Sequence, residues 1–238
     1  MSIQIYYSYT GSWRDGDLEE AYRLLPSERR QMIAGRLPED TKRAVIGSSL
    51  LLAGLFMPFK GGQPEEIHPK AVMEHLHAAA DRIPAWTVSS KGKPFADGVL
   101  IENTRKYGSL SHSGECAAAA VATVPIGVDV QQFTKLSEIK MHKIARRFHP
   151  SARSLLAAKT KKILQDQFYR VWTAMESVMK LYGQGFALPM SSIALQPDGD
   201  NGFLATVGTD NLPVRLYSVK NGWMAVCCGE TADPSSTN

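Results

Sequence analysis

The spacing of apolar and polar residues changes period several times along this chain. Ile3, Ile5 and Tyr7 alternate with their neighbours, the two-residue period of a strand, so a strand is expected over 3–9. Helical signals follow. Gly16-Asp17 opens a short helix over 18–25 that Pro26 closes, and Ser27 caps a second. Pro38-Glu39-Asp40 starts a third, with an apolar body over 41–56. Proline in a first turn costs little, because its missing N–H has no helical partner there. Beyond a loop over 60–64, a helix is expected over 71–80, a short strand over 86–88, and a tight turn at Lys91-Gly92-Lys93-Pro94.

Strands are then expected over 109–111, 117–124 and 126–130. The alanine run 117–120 has helical propensity as well. Gly114 and Pro125 bracket it, however, and Val121, Thr123 and Val124 are β-branched, which favours a strand. Helices follow over 136–148 and 160–182, the latter stopped by Gly183. Strands over 192–195, 203–207, 214–219 and 223–228 complete the chain, with turn signals at Pro197-Asp198-Gly199 and Asn221-Gly222. Strands and helices do not alternate regularly, so the class is α+β. A boundary is expected near 103–107, giving an N-terminal half over 1–105, a C-terminal half over 106–230 and a flexible tail over 231–238.

Composition narrows the function. An apolar content of 44% over 238 residues supplies an ample core. The net charge of +4 suits an anionic ligand or an acidic protein partner. A nucleic-acid binder would carry a denser basic block, so no nucleic-acid partner is expected. Cys116, Cys227 and Cys228 lack metal spacing and a disulfide pattern, which points to a reducing, cytoplasmic setting. No basic-then-apolar leader opens the chain, and the longest apolar run, 50–59, is too short to span a bilayer. His75 and His77 are two apart, on different helix faces, so no metal site is expected there.

The candidate chemistry lies in the second half. Asp129 interrupts an apolar strand, and strand alternation puts Gln131 on the same face. Two oxygen donors side by side suit a hard cation such as Mg²⁺, though an acid ending a strand at a turn fits equally. Trp172, Glu176 and Lys180 are each four apart and form one helix stripe. Glu176 and Lys180 could be a surface ion pair, but Trp172 in the same stripe argues for burial and a partner for Glu176. In Ser111-His112-Ser113-Gly114, neighbouring side chains on a strand point to opposite faces, so a shared proton is disfavoured and anion binding fits better. Lys91 and Lys93 could serve the same anion. The chain has no P-loop, no His-Glu-x-x-His and no Gly-x-Ser-x-Gly.

The order of these pieces resembles a known family. Lys91-Gly92-Lys93-Pro94, Ser109 to Gly114, Gly127-Val128-Asp129-Val130-Gln131, and Trp172 to Lys180 with Gly183 and Gly185 occur as in the surfactin-synthetase-activating type of 4′-phosphopantetheinyl transferase. The resemblance spans about 24–228. It implies two similar α+β halves related by pseudo-twofold symmetry. It also implies Mg²⁺-dependent transfer of phosphopantetheine from coenzyme A to a serine of an acyl, peptidyl or aryl carrier protein. On that basis Asp129 and Glu176 hold the metal, with Gln131 contributing directly or through water, and Glu176 and Lys180 act in catalysis alongside Asp129. Lys93, Ser111 and His112 would contact coenzyme A, as would Arg29 and Arg43 in a more loosely matching region.

The chain departs from the family pattern at Gln131, where a second acid is frequent, at Met175, where lysine is usual, and near Ala152, where a glutamate is expected. The partner would be an acidic helical carrier domain docking near Lys140, Lys143, Arg146 and Arg147, and the enzyme a monomer. A coenzyme A-binding protein that has lost catalysis is the competing expectation.

Overall fold

The computed structural model describes residues 1–157 and 160–230, so the tail expected over 231–238 lies outside the described residues. The chain divides into two compact units, Met1–Ile126 and Gly127–Asn238.

The N-terminal unit is built on a five-stranded sheet. Its strands are β1 (Ile3–Tyr9), β2 (Pro64–Glu66), β3 (Val99–Ile101), β4 (Thr104–Ser113) and β5 (Cys116–Ala122), in the order β2-β1-β5-β4-β3. β1 and β2 are parallel and the other pairs antiparallel. β4 and β5 join through Gly114-Glu115, a two-residue hairpin loop with a glycine first, at φ 54°. Its helices are α1 (Asp15–Leu24), α2 (Ser27–Ile33), α3 (Pro38–Phe56) and α4 (Pro69–Ala78).

α3 is buried continuously from Ala44 to Leu55, as a helix that is apolar all round must be. Glu39 and Asp40 in its first turn complement the helix dipole. It packs on β5, whose seven residues are all buried. Small residues set the spacing: a Cβ on Gly54 would stand 3.1 Å from the Tyr6 ring and 3.2 Å from Val121.

The C-terminal unit has a five-stranded sheet of its own. β6 (Ile126–Gln132), β7 (Ala194–Pro197), β8 (Gly202–Val207), β9 (Asp210–Val219) and β10 (Gly222–Cys228) form a sheet in the order β6-β10-β9-β8-β7. α5 (Glu138–Ala145) and α6 (Pro150–Ser154) precede α7 (Lys161–Tyr182), which lies on β10 and β9. The Thr160 hydroxyl accepts the Ile163 N–H at the start of α7, and Gly183 ends it at φ 65°.

Four expectations shift. The units divide at 126/127 rather than at 105/106, because β5 pairs with β1 and β4 with β5, so both belong to the first sheet. The helix expected over 136–148 starts at Glu138, where the Ser137 hydroxyl caps it by accepting the Lys140 N–H, and ends at Ala145. Residues 86–88 contribute only one bridge, Val88 to Pro94, closing the Lys91–Pro94 turn in which Gly92 has φ 85°. β7 begins two residues late because Met190–Ser192 forms a 3₁₀ turn. Among the described residues no helix is long and apolar enough to cross a membrane.

Candidate active site

The site begins with a glycine. A Cβ on Gly127 would lie 2.0 Å from the Ser177 carbonyl oxygen and 2.4 Å from the Leu181 amide nitrogen. Only a residue without a side chain lets β6 approach the backbone of α7 so closely. Two residues on, Asp129 faces α7. Two further on, Gln131 shares its side of the strand.

Asp129 is 1% exposed. Its Oδ1 accepts from Lys180 Nζ at 2.7 Å, and its Oδ2 from the Gln131 amide nitrogen at 3.1 Å. Lys180 therefore bridges from α7 to β6 and is not confined to its own helix neighbour, Glu176. Glu176 lies one turn before Lys180, and its Oε1 accepts from the indole Nε1 of Trp172 at 2.8 Å. Its carboxyl is pushed up to about 7. Burial is the largest cause, and the negative charge of Asp129 adds to it. Lys180 and the indole N–H act in the opposite direction but do not cancel these effects.

Asp129 and Glu176 thus set two carboxyl groups close to the Lys180 ammonium. Among the described residues no three His, Cys, Asp or Glu side chains are grouped so as to hold a metal. The donor set is thus two carboxylates plus an amide whose oxygen a half-turn of the Gln131 side chain would present. Hard oxygen donors of this kind suit a divalent cation such as Mg²⁺.

The N-terminal unit carries its own polar cluster. Ser111 is 4% exposed and His112 half-buried on β4. Arg43 donates to the Gly114 carbonyl at 3.1 Å, at the turn that follows, and pairs with Asp40 at 2.7 Å. The Asp40 carboxyl is held below the usual range, first by its hydrogen bond from Arg43, with the charges of Arg43, His112 and Arg36 adding to the effect.

Lys93 is 8% exposed, in the turn closed by Val88 and Pro94. Arg29 is placed differently from Arg43. It is 6% exposed, donates to the Ser48 hydroxyl at 2.8 Å and lies 4.8 Å over the Trp86 ring, and burial lowers its pKa to about 10.

Two features escaped the sequence reading: the contact of Gly127 with α7 and the hydrogen bond from Trp172 to Glu176. The i,i+4 spacing of Trp172 and Glu176 is a readable signal for the second. The first has none, because a close approach depends on which helix the strand meets.

Comparison with known proteins bears on the same residues. Residues 125–228 match the family model described as the 4′-phosphopantetheinyl transferase superfamily. The chain is similar to 4′-phosphopantetheinyl transferase Sfp of Bacillus subtilis (strain 168), 31% identical over 129 residues, covering 53% of this chain and 56% of that one. It is 27% identical over 139 residues to 4′-phosphopantetheinyl transferase gsp of Aneurinibacillus migulanus, covering 58% and 54%. Over 185 residues it is 35% identical to 4′-phosphopantetheinyl transferase HetI of Nostoc sp., covering 76% and 64%. The chain thus spans between about half and two thirds of the length of these three curated relatives.

Proposed function

We propose that this chain, whose residues 125–228 match the model of the 4′-phosphopantetheinyl transferase superfamily, belongs to that family and transfers phosphopantetheine from coenzyme A to a serine of an apo carrier protein. The observation that supports this reading most is the pairing of buried Asp129 with the part-exposed Lys180 beside Glu176. Phosphoryl transfer rests mainly on positioning and charge stabilisation, which this group of side chains offers.

In the proposed reaction the serine Oγ attacks the β-phosphorus of coenzyme A. A P–O bond forms, and the bond from that phosphorus to its bridging oxygen breaks. Adenosine 3′,5′-bisphosphate leaves with the electron pair. The serine proton passes to Glu176 or to a water held beside it. Lys180, with 30% of its side chain exposed, offsets charge on the leaving phosphate. Asp129 keeps the Lys180 ammonium in place. Mg²⁺, held by Asp129 and Glu176 with Gln131 or water, would supply neutralisation of the pyrophosphate charge.

Lys93, Ser111, His112, Arg29 and Arg43 are proposed as coenzyme A contacts. Arg43 donates to the Gly114 carbonyl, two residues after His112, which supports this for Arg43 and His112. Each unit by itself is a five-stranded sheet carrying one long helix, which supports the reading of two similar halves. An acidic carrier domain is proposed to dock on the C-terminal unit. There Lys140, Lys143, Arg146 and Arg147 are all exposed, and Ile139 is 81% exposed beside them. The enzyme is proposed to act as a cytoplasmic monomer.

The test is incubation with coenzyme A, Mg²⁺ and several apo acyl and peptidyl carrier domains, followed by intact mass of each carrier. A gain of one phosphopantetheine on at least one carrier, suppressed by EDTA, is expected. No gain on any of them overturns the proposal.

A further inference from the structure

Trp172 has two neighbours that no single structural role explains. Its indole N–H donates to Glu176 Oε1 at 2.8 Å. Its ring also lines a groove of about 580 Å³, together with Ile144, Arg146, Arg147, Leu188 and Met190. On another side the ring packs against Phe168, with centroids 5.3 Å apart and planes at 56°. A glutamate side chain has several rotatable bonds, and fixing it costs entropy. Tryptophan has only two side-chain torsions, and Phe168 restrains this one. The indole is therefore a rigid donor holding a flexible acceptor. The groove is the side on which another molecule can bear against it.

We propose that Trp172 is a positioning residue whose indole N–H fixes the Glu176 carboxylate for a divalent cation, and whose ring passes occupancy of the adjoining groove on to that carboxylate. The groove occupant is an apolar side chain from an acidic helix, matched to the apolar wall of Ile144, Leu188 and Met190 and the arginine rim of Arg146 and Arg147. The occupant's identity as a carrier rests on the function proposed above. By linkage, whatever factor the carrier adds to metal affinity, the metal adds to carrier affinity.

The probe is Mn²⁺, its free concentration read by electron paramagnetic resonance, with and without an apo peptidyl carrier domain. Trp172→Phe keeps an aromatic ring and removes the N–H. It is expected to bind Mn²⁺ about tenfold more weakly, the effect of one hydrogen bond to a charged group. In the wild type the carrier is expected to tighten Mn²⁺ binding several-fold, and in Trp172→Phe to leave it unchanged. Met190→Ala reshapes the groove without touching the N–H; Mn²⁺ affinity of the free protein should stay at the wild-type value while the carrier effect is lost.

Wild-type Mn²⁺ affinity in Trp172→Phe overturns the proposal. So does a carrier effect that survives in both variants, or its absence from the wild type. If the wild type modifies no carrier but Trp172→Phe still loses Mn²⁺, the function proposed above fails while the positioning role is supported.

Discussion

Lys180 on α7 donates to Asp129 on β6 at 2.7 Å, and the two partners differ sharply in exposure: 1% for the aspartate side chain and 30% for the lysine. The buried acid is the anchor and the lysine the adjustable member. Removing the lysine deletes the ammonium that donates to this buried carboxylate. Lys180→Met is therefore expected to lower stability by about 3 kcal/mol in urea unfolding, in the range found when one partner of a buried pair is deleted. It should also abolish transfer. A loss below about 0.5 kcal/mol would mean that the pair behaves as a surface ion pair.

Glu176 gives the pH dependence its sign. Its carboxyl rises from 4.5 to about 7, chiefly through burial and then through Asp129, so the folded metal-free protein binds this proton more tightly than the unfolded chain. The corresponding stability is fully present below 4.5 and is lost as pH rises through about 7. In EDTA, the melting temperature of the wild type should fall more between pH 5 and pH 8 than that of Glu176→Gln. Parallel curves for the two proteins would contradict the assignment. Transfer activity should be lost in the variant at every pH.

Gly127→Ala should be among the most damaging single changes in the chain. The added methyl would overlap the Ser177 carbonyl oxygen, which is main chain and cannot rotate away. β6 would have to move off α7, taking Asp129 from Lys180. A loss of about 3 kcal/mol or failure to accumulate as folded protein is expected. Near-wild-type unfolding would show that the close approach is not required.

Gln131→Glu places a third carboxylate beside Asp129, whose Oδ2 now accepts from the Gln131 amide. Metal-free, the variant should melt at a lower temperature than the wild type because like charges crowd a buried site. Mn²⁺ titration should show equal or tighter binding. Weaker binding would assign Gln131 a role other than that of a substitute ligand.

Local chemistry made much of this legible from the residues alone. The strands around Asp129 and the long helix with its Gly183 stop carry period, capping and turn signals within a few residues. The placement of Asp129 and Gln131 on one strand face also follows from alternation. Long-range pairing hid the rest. Nothing near residues 104–122 says that β4 and β5 join β1, a hundred residues earlier, and so the boundary was expected too soon. Likewise, spacing suggested Glu176 as the partner of Lys180, whereas the closer ion pair forms with a strand 51 positions away. The enclosure of Arg29, an expected coenzyme A contact, by Ser48 and Trp86 is long-range in the same way.

The central claim is that Asp129 and Glu176 support phosphopantetheine transfer. The most direct measurement is intact-mass spectrometry of one apo carrier domain after incubation with coenzyme A and Mg²⁺, run in parallel with wild type, Asp129→Ala and Glu176→Gln. The expected result is a phosphopantetheine mass gain and release of adenosine 3′,5′-bisphosphate with the wild type alone, while both variants remain folded by circular dichroism. Transfer at wild-type rates by either variant would contradict the account.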